Sequence, residues 1–461
     1  MLTLRSITEI TGSALISGHI NMDTPILGFS IDTKTLKPGD VFVALQGENH
    51  HGNAFISSAF EKGAIAVITD QIPATDIPSF IVVEDSLDAL VKIAHFQRAA
   101  YKGKVIGVTG TVGKTSVKDA LRFLIQKIGL TIHASEKSYN NHIGVPLSLA
   151  NLDLNADFAI LEIGTNHPGE ILALSKLVLP NVAIVTAVGP GHIEYFPSVE
   201  DIAKEKISIA APLTENGIAI LPANSEFFDM MKTTVNNEYK HSVVSFGETE
   251  AADVRLLDVK MMGADKQQVT ADIRGTVVTY ELPTPNTAWI NNSLAVLTAA
   301  LAMRLDVNDL VHYFRMLPMS GGRGRISSTV YNGKQITLID DAYNANPLSM
   351  TAALETLARY PGRKVAVIGD MRELGMFSKK YHIEVGQLCN ILKIDKVLTC
   401  GEWMEHAFQQ LSLAQQLGHV NAYSQIEAIL NEGVQDGDVI MFKASNGVKL
   451  HAVIAKILDQ V

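Results

Sequence analysis

The amino-acid sequence predicts an α/β protein of three domains: a smaller N-terminal α/β domain over 1–99, a central parallel-sheet domain with a phosphate loop over 100–316, and a C-terminal Rossmann-like domain over 317–461. Three observations predict it. The length of 461 residues corresponds to roughly three domains at about 150 residues each. Apolar strands alternate with helical patterns in two separate blocks, as in parallel sheets covered on both faces. Finally, the stretch Val105 to Ser116 (VIGVTGTVGKTS) joins a β-branched apolar run to an amphipathic segment through a glycine-rich turn.

Composition narrows the class. Hydrophobic residues at 47% and charged residues at 19% give a globular balance, unlike disordered chains. No apolar run approaches the roughly 18 residues of a membrane span. The N-terminus has Arg5 and Glu9 but no sustained apolar region, so it does not read as a signal peptide, and a cytoplasmic location is expected. Cys389 and Cys400 alone exclude a disulfide scaffold or a cysteine-rich metal site and are expected to pack. With 48 acidic against 38 basic residues and a formal charge of -10, a nucleic-acid partner is not expected. The expected assembly state is the monomer.

In the first domain, Gly39 to Gly47 alternates as a strand bounded by glycines, and AFISSAFEKGAIAVITD gives a helix stopped at Gly63 and another strand. Ser30 to Lys34 (SIDTK) reads as a polar loop, either a nucleotide-facing loop or a solvated turn. A helix over Asp88 to Tyr101 leads to the first boundary at Gly103.

The central domain opens with the glycine-rich stretch. Its glycines let backbone N–H groups converge on an anion, the helix N-terminus adds partial positive charge, a lysine reaches terminal phosphates and a hydroxyl serves Mg²⁺. Thr109, Gly110, Thr111, Val112, Gly113, Lys114, Thr115 and Ser116 therefore predict a nucleoside triphosphate site, although Val108 stands where the strict GxxxxGK[ST] spacing has glycine. Val117, Ala120, Leu121, Leu124 and Ile128 continue at helical spacing to Gly129. Strands follow at Asp157 to Gly164, Asn181 to Gly189 and Gly217 to Ala223, with helices at Gly169 to Val178 and Val199 to Ala210. Ligands sit at strand carboxyl ends in such sheets, where the sequence places Glu162, and His192 with Glu194. Mg²⁺ prefers oxygen ligands, which favours Glu162. Lys204 and Lys206 lie among Glu200, Asp201 and Glu205, as an ordinary paired helix face would have it. Antiparallel strands are expected over Ala252 to Pro283, then a helix led by Asn291 and Asn292, one of which would cap it.

A glycine-rich boundary, Leu317 to Arg325, precedes a regular alternation: strands at Ile336 to Asp340, Lys364 to Gly369, Lys396 to Thr399 and Asp438 to Lys443. Helices are expected at Ser349 to Arg359, Ser378 to Leu392, Trp403 to Leu411 and from Val448. IDDAYNANP and VIGDMRELG fall at strand ends.

Taken together, TGTVGKTS, LEIGTNHPGEI, GHIEYF, IAKEKISI and NNSLAV resemble, in order, the Mur ligases, ATP-dependent amide-forming enzymes of peptidoglycan precursor synthesis. DDAYNANPLSM, GDMRELG and the front-end SIDTK with GDVFVALQGENHHGNAF resemble the branch that adds D-alanyl-D-alanine to a UDP-N-acetylmuramoyl tripeptide. The resemblance implies that Lys114 contacts the β/γ-phosphates, that Thr115, Glu162 and His192 serve Mg²⁺, two ions being expected, and that Lys206 is carried as a carbamate and joins the metal ligands. It implies Asn292 at the adenine, Arg325 and Asp341 at the ATP ribose and phosphates, and Ser30, Asp32, Thr33 and Lys34 at the uridine nucleotide. Asn140 and Asn141 fall on the substrate side, and Asn344, Asn346 and Pro347 at the dipeptide. Lys34 stands where arginine is usual, Ala288 where histidine is common, and KASNG (Lys443 to Gly447) where KGSRG is typical.

The implied chemistry is phosphorylation of the tripeptide carboxylate, attack by the dipeptide amine and release of phosphate. The third residue of the tripeptide, meso-diaminopimelate or lysine, stays open. The alternatives are another amide ligase of the superfamily, a small-molecule kinase on the same loop, and a non-catalytic nucleotide-binding protein. Short linkers imply that ligands draw the third domain onto the second.

Overall fold

The computed structural model describes residues 2–13, 21–47, 51–72, 77–319 and 321–459. Glu48 to His50 of the front-end stretch and Ser320 of the glycine-rich boundary lie outside them, as do Met1 and residues 14–20 of the N-terminal segment. Three sheets organise the chain. No helix among the described residues is long and apolar enough to cross a membrane.

The first sheet has four parallel strands in the order Gly28–Ser30, Asp40–Val43, Ala66–Thr69 and Phe80–Val82. Val41, Val43, Ala66 and Ile68 face one core, Phe42 and Val67 the other, so apolar runs here are continuous and not alternating. The helix Ser86–Ala100, capped by the Asp85 side chain on the Asp88 N–H, covers the first face.

The central sheet has nine strands, and the phosphate-loop strand Lys104–Thr109 lies between Val182–Val185 and Phe158–Glu162. Chain connections leave this strand in opposite directions on its two sides, which makes its carboxyl end the switch-point crevice. Ile106 and Val108 face a core built with the helices Lys114–Lys127 and Ala288–Met303, while Val105 packs on the other face with Leu161, Ile171 and Ile209. The expected antiparallel strands are present as Val254–Met261, Gln267–Ile273 and Thr276–Leu282. The first of these is joined in parallel to Ser242–Gly247, an element the sequence reading did not place.

Neither Asn291 nor Asn292 caps the following helix. It starts at Ala288, and the Asn286 side chain accepts the Ala288 N–H at 2.9 Å, so the capping role moves upstream to the Pro-Asn-Thr turn and leaves Asn292 buried within the helix.

The third sheet runs Arg325–Tyr331, Lys334–Asp340, Val439–Lys443, Lys364–Gly369, Lys396–Cys400 and Gln416–Val420. Its first pair is an antiparallel hairpin and the rest is parallel. Cys389 and Cys400 are buried and unpaired, as expected of packing residues. The sheets are tied together locally. Asn151 exchanges bonds with the backbone of Phe29 at 2.8 and 3.0 Å, and Ile193, Phe196 and Ile202 of the central region enter the C-terminal core beside Met371 and Leu374.

Candidate active site between the central and C-terminal sheets

Two clefts border the helix that follows the phosphate loop. A cavity of about 350 Å³ is lined by Thr111 to Ser116 and by Ser138, Asn140, Glu162, His192 and Asn292 from the central region, with Arg323, Asp341, Tyr343, Asn344, Asn346 and Lys443 from the C-terminal region. A larger cleft of about 750 Å³ lies between the first and central sheets.

The loop is shaped by two glycines. Gly113 has φ 88° and precedes the helix Lys114–Lys127; a Cβ there would lie 2.4 Å from Asn292 Oδ1. At Gly110, φ 149°, a Cβ would lie 1.9 Å from the Thr186 hydroxyl, which donates to the carbonyls of Thr109 and Val112. Thr109 itself is fully buried beneath the loop. Lys114 Nζ folds back onto the Gly110 carbonyl at 2.7 Å; burial lowers its pKa, opposed by the charge of Glu162.

Sheet register delivers Glu162. It pairs with Val108 on the neighbouring strand, which sets its carboxylate beside the start of the loop helix. Only 1% exposed, it accepts the Thr115 hydroxyl and the Asn140 amide, each at 2.8 Å. A buried carboxylate held by neutral donors is costly unless a cation is near. An anionic oxygen and a hydroxyl in contact are the donor set a hard divalent ion takes, so Thr115 and Glu162 fit Mg²⁺.

Lys204 and Lys206 part ways. Lys204 pairs with Glu200 at 2.8 Å and Asp201 at 3.7 Å, the ordinary helix-face arrangement. Lys206 is 3% exposed, and among the described residues its amine has no hydrogen-bond or ion-pair partner. Adjacent Glu205 instead spends its carboxylate on the N–H groups of Gly169 and Ile171 at 2.7 and 2.8 Å. Burial, with the charge of Lys114, brings the Lys206 pKa down to about 7.

His192 adopts φ 60°, and its Nδ1 lies 2.5 Å from Glu373 of the GDMRELG loop, whose pKa is lowered chiefly by that contact. Among the described residues no three His, Cys, Asp or Glu side chains converge as a metal cluster. His192 also lines the cavity.

From the C-terminal side, Asp341 pairs with buried Lys443 at 2.7 Å, and desolvation raises its pKa against that pull. Asn346 caps the helix Pro347–Ala358 through the Ser349 N–H, with Pro347 at its first turn. Asn344 Oδ1 accepts the Ala345 N–H at 2.9 Å. Arg325, expected at ATP, lines a different cleft with Asp265 and Tyr360. Arg323, two residues earlier, enters the cavity, its guanidinium 4.1 Å from the Tyr343 ring centre.

Sequence reasoning missed Ser138, where the two sides meet. Its hydroxyl lies 3.3 Å from that of Thr115, 3.4 Å from Arg323 Nη2 and 3.2 Å from the Tyr343 hydroxyl. Buried Lys118 of the loop helix holds this segment by donating to the carbonyls of Ser135 and Lys137 at 2.9 and 2.5 Å.

In the larger cleft, Ser30, Thr35, Lys37, Arg122 and Tyr139 are wall residues. Asp32, Thr33 and Lys34 are not among its wall residues: the Asp32 carboxylate takes the Lys34 N–H at 2.9 Å, the Thr33 carbonyl takes Lys62 Nζ at 2.6 Å, and Lys34 is exposed. Segment 136–140 divides the clefts, with Glu136 and Tyr139 on this side and Ser138 and Asn140 on the nucleotide side. Asn141 instead accepts the N–H groups of Ile143 and Gly144 at 3.2 and 2.9 Å, leading the helix Gly144–Ala150.

Comparison with known proteins gives three adjoining matches: the Mur ligase family, catalytic domain, over residues 25–100, the Mur ligase middle domain over 108–300, and the Mur ligase, glutamate ligase domain over 323–446. The chain is 32% identical to a UDP-N-acetylmuramoyl-tripeptide--D-alanyl-D-alanine ligase of Rickettsia prowazekii, covering 92% of this chain and 93% of that protein. It is 33% identical to the Escherichia coli protein of the same name, covering 89% and 88%. Among solved structures, a MurF from Acinetobacter baumannii superposes with TM-score 0.88 at 25% identity, covering 99% and 98%. A MurF ligase from Thermotoga maritima in complex with ADP superposes with TM-score 0.79 at 30% identity, covering 94% and 98%.

Proposed function

Because the chain belongs to the Mur ligase family, we propose that it is the ATP-dependent ligase joining D-alanyl-D-alanine to a UDP-N-acetylmuramoyl tripeptide, the amide-forming step that yields the peptidoglycan pentapeptide precursor. The observation that carries the reading is one cavity bordered by a phosphate loop, the buried Glu162 and the Asn344 to Asn346 segment, in a chain whose relatives bear that ligase's name.

A carboxylate is a poor acyl donor, so the reaction first needs a better leaving group. The tripeptide carboxylate attacks the γ-phosphorus of ATP, ADP leaves, and the acyl phosphate so formed is attacked by the dipeptide amine. The carbon–oxygen bond then breaks, phosphate departs with one former carboxylate oxygen, and the amine proton is lost to solvent. For this the chain supplies placement and charge. Lys114 swings from the Gly110 carbonyl to the terminal phosphates. The loop N–H groups hold the β-phosphate, and Asn292, seated over Gly113, meets the adenine. Arg323 and Asp341 approach the nucleotide from the third sheet.

Magnesium, when bound, neutralises phosphate charge and polarises the γ-phosphoryl group. Thr115 and Glu162 would hold one ion. Lys206 as a carbamate, with His192, would serve a second. A buried lysine that has no partner among the described residues and a pKa near neutrality has the free amine needed to capture CO₂, and the carbamate turns an unfavourable buried cation into an anionic oxygen ligand. The UDP moiety is assigned to the larger cleft, with Ser30 and Arg122 in its walls; its tripeptide passes segment 136–140 toward Lys114. The acting unit is proposed to be the single chain, since both clefts are built from one chain.

The test is phosphate release by the purified protein with ATP, a UDP-N-acetylmuramoyl tripeptide and D-alanyl-D-alanine, each omitted in turn. Release with all three, and its loss on omitting the dipeptide, is expected. A stable phosphorylated product made without dipeptide would point to a kinase, and faster turnover with a single amino acid to another ligase of the superfamily.

A further inference from the structure

A dipeptide must present its amine to the activated acyl group and leave its carboxylate somewhere. Two extended residues reach about 7 Å, so the carboxylate comes to rest past the Asn344 to Asn346 segment, away from the phosphates. A carboxylate leaving water there requires a cation, and a guanidinium matches both oxygens best.

Four cations stand on the C-terminal loops around that segment, and one of them, Lys449, is exposed but lacks the planar fork that takes both carboxylate oxygens. Arg323 is turned to the nucleotide side, over Tyr343 and toward Ser138. Lys443 is buried and neutralised by Asp341 at 2.7 Å. Arg372 differs from both: it is exposed, and its guanidinium has no carboxylate partner among the described residues. Its neighbour Glu373 is occupied by His192, and the next loop offers only neutral Asn446.

Arg372 is nonetheless well placed. Its backbone N–H donates to the Ser445 hydroxyl at 2.9 Å, and that hydroxyl donates to the Ala345 carbonyl at 3.3 Å. One hydroxyl therefore joins the loop of Arg372 to the residue between Asn344 and Asn346. Nη2 donates to the Gly447 carbonyl at 3.3 Å, and the guanidinium lies so flat against Gly447 that a Cβ there would meet Nη1 at 2.3 Å. The arm is oriented by backbone contacts, and although its charge acts on Glu373, no carboxylate among the described residues forms an ion pair with it.

We infer that Arg372 forms the subsite for the terminal carboxylate of the incoming dipeptide, and so sets the requirement for a free acid at that end. This rests on the ligase reading above. Steady-state kinetics with D-alanyl-D-alanine and with D-alanyl-D-alaninamide, which lacks the carboxylate charge, test it. The parent protein should prefer the acid by on the order of ten- to a hundredfold in kcat/KM, the scale of a hydrogen bond to a charged group. Arg372→Ala should bring the acid down to the level of the amide while the KM values for ATP and UDP-tripeptide stay unchanged; Arg372→Lys should recover part of the preference, and Lys449→Ala, a neighbouring exposed cation, should keep all of it. A preference that survives in Arg372→Ala, or that Lys449→Ala abolishes, overturns the assignment, as does a parent protein that uses acid and amide alike. A parent protein that releases no phosphate with any dipeptide would instead remove the ligase reading beneath it.

Discussion

Glu162→Gln separates the cost of the site to the fold from its value to the reaction. The carboxylate accepts two hydrogen bonds of 2.8 Å at 1% exposure. Glutamine keeps both contacts if its oxygen takes the Asn140 amide and the Thr115 hydroxyl turns to accept its NH₂. Replacing two charge-assisted bonds by neutral ones forfeits about 2 kcal/mol in total, while removing a buried charge relieves a desolvation penalty of several kcal/mol. The nearby Lys114 charge, which is coupled to Glu162, takes back part of that relief. The variant should therefore match the parent within about 2 kcal/mol in denaturant unfolding without metal, and the sign should favour the variant. Mg²⁺ should raise the melting temperature of the parent but not of the variant, and kcat should fall by on the order of 10²- to 10³-fold, as for loss of one electrostatic group. A variant that unfolds, or one that keeps both its Mg²⁺ response and its turnover, would refute the reasoning.

Other substitutions probe the remaining roles. Lys114→Ala should lose turnover while UDP-tripeptide binding, measured by calorimetry, is retained; an unaltered rate would discredit the loop assignment. Lys206→Ala should be inactive and partly restored by small carboxylates, and full activity without them would remove the carbamate. Lys206 also carries a pH signature: its pKa falls from 10.5 to about 7 on folding, so the unfolded chain binds the extra proton between those values. The contribution of this group to stability should rise with pH across that window, and Lys206→Met should flatten the slope in pH-dependent denaturation. Arg323→Ala should raise the KM for ATP about tenfold, the scale of one charge-assisted contact, and more than Arg325→Ala does; the reverse order would return the nucleotide role to Arg325.

How much of this was legible in the sequence depends on how local each feature is. The phosphate loop is a strand, a turn and a helix in consecutive residues, and Glu162 needs only the alternation of parallel strands to reach a strand end. Lys206 looked like one more charge on a paired helix face; that Glu205 turns away to the Gly169 and Ile171 N–H groups is a tertiary fact. The arginines of GRGR separate because Gly324 takes φ 85°, and the turn sends Arg323 into the cavity while Arg325 begins a strand. That strand, with the polar run Ser327 to Thr329, offered little apolar signal, and Gln416–Val420 offered no more. Ser138 could not be found from pattern alone, since its three partners come from residues as far apart as Thr115 and Tyr343. Asn346 shows the opposite hazard: a residue assigned to substrate also caps a helix, so its substitution will report on folding as well as recognition.

The central claim is that the cavity shared by Lys114 and the Asn344 to Asn346 segment transfers an acyl group through its phosphate. Isotope tracing tests it most directly. With ¹⁸O in the terminal carboxylate of the tripeptide, ligation should deliver one labelled oxygen into each inorganic phosphate released, detected by mass spectrometry alongside the pentapeptide. Phosphate that remains unlabelled while the amide forms would contradict the account.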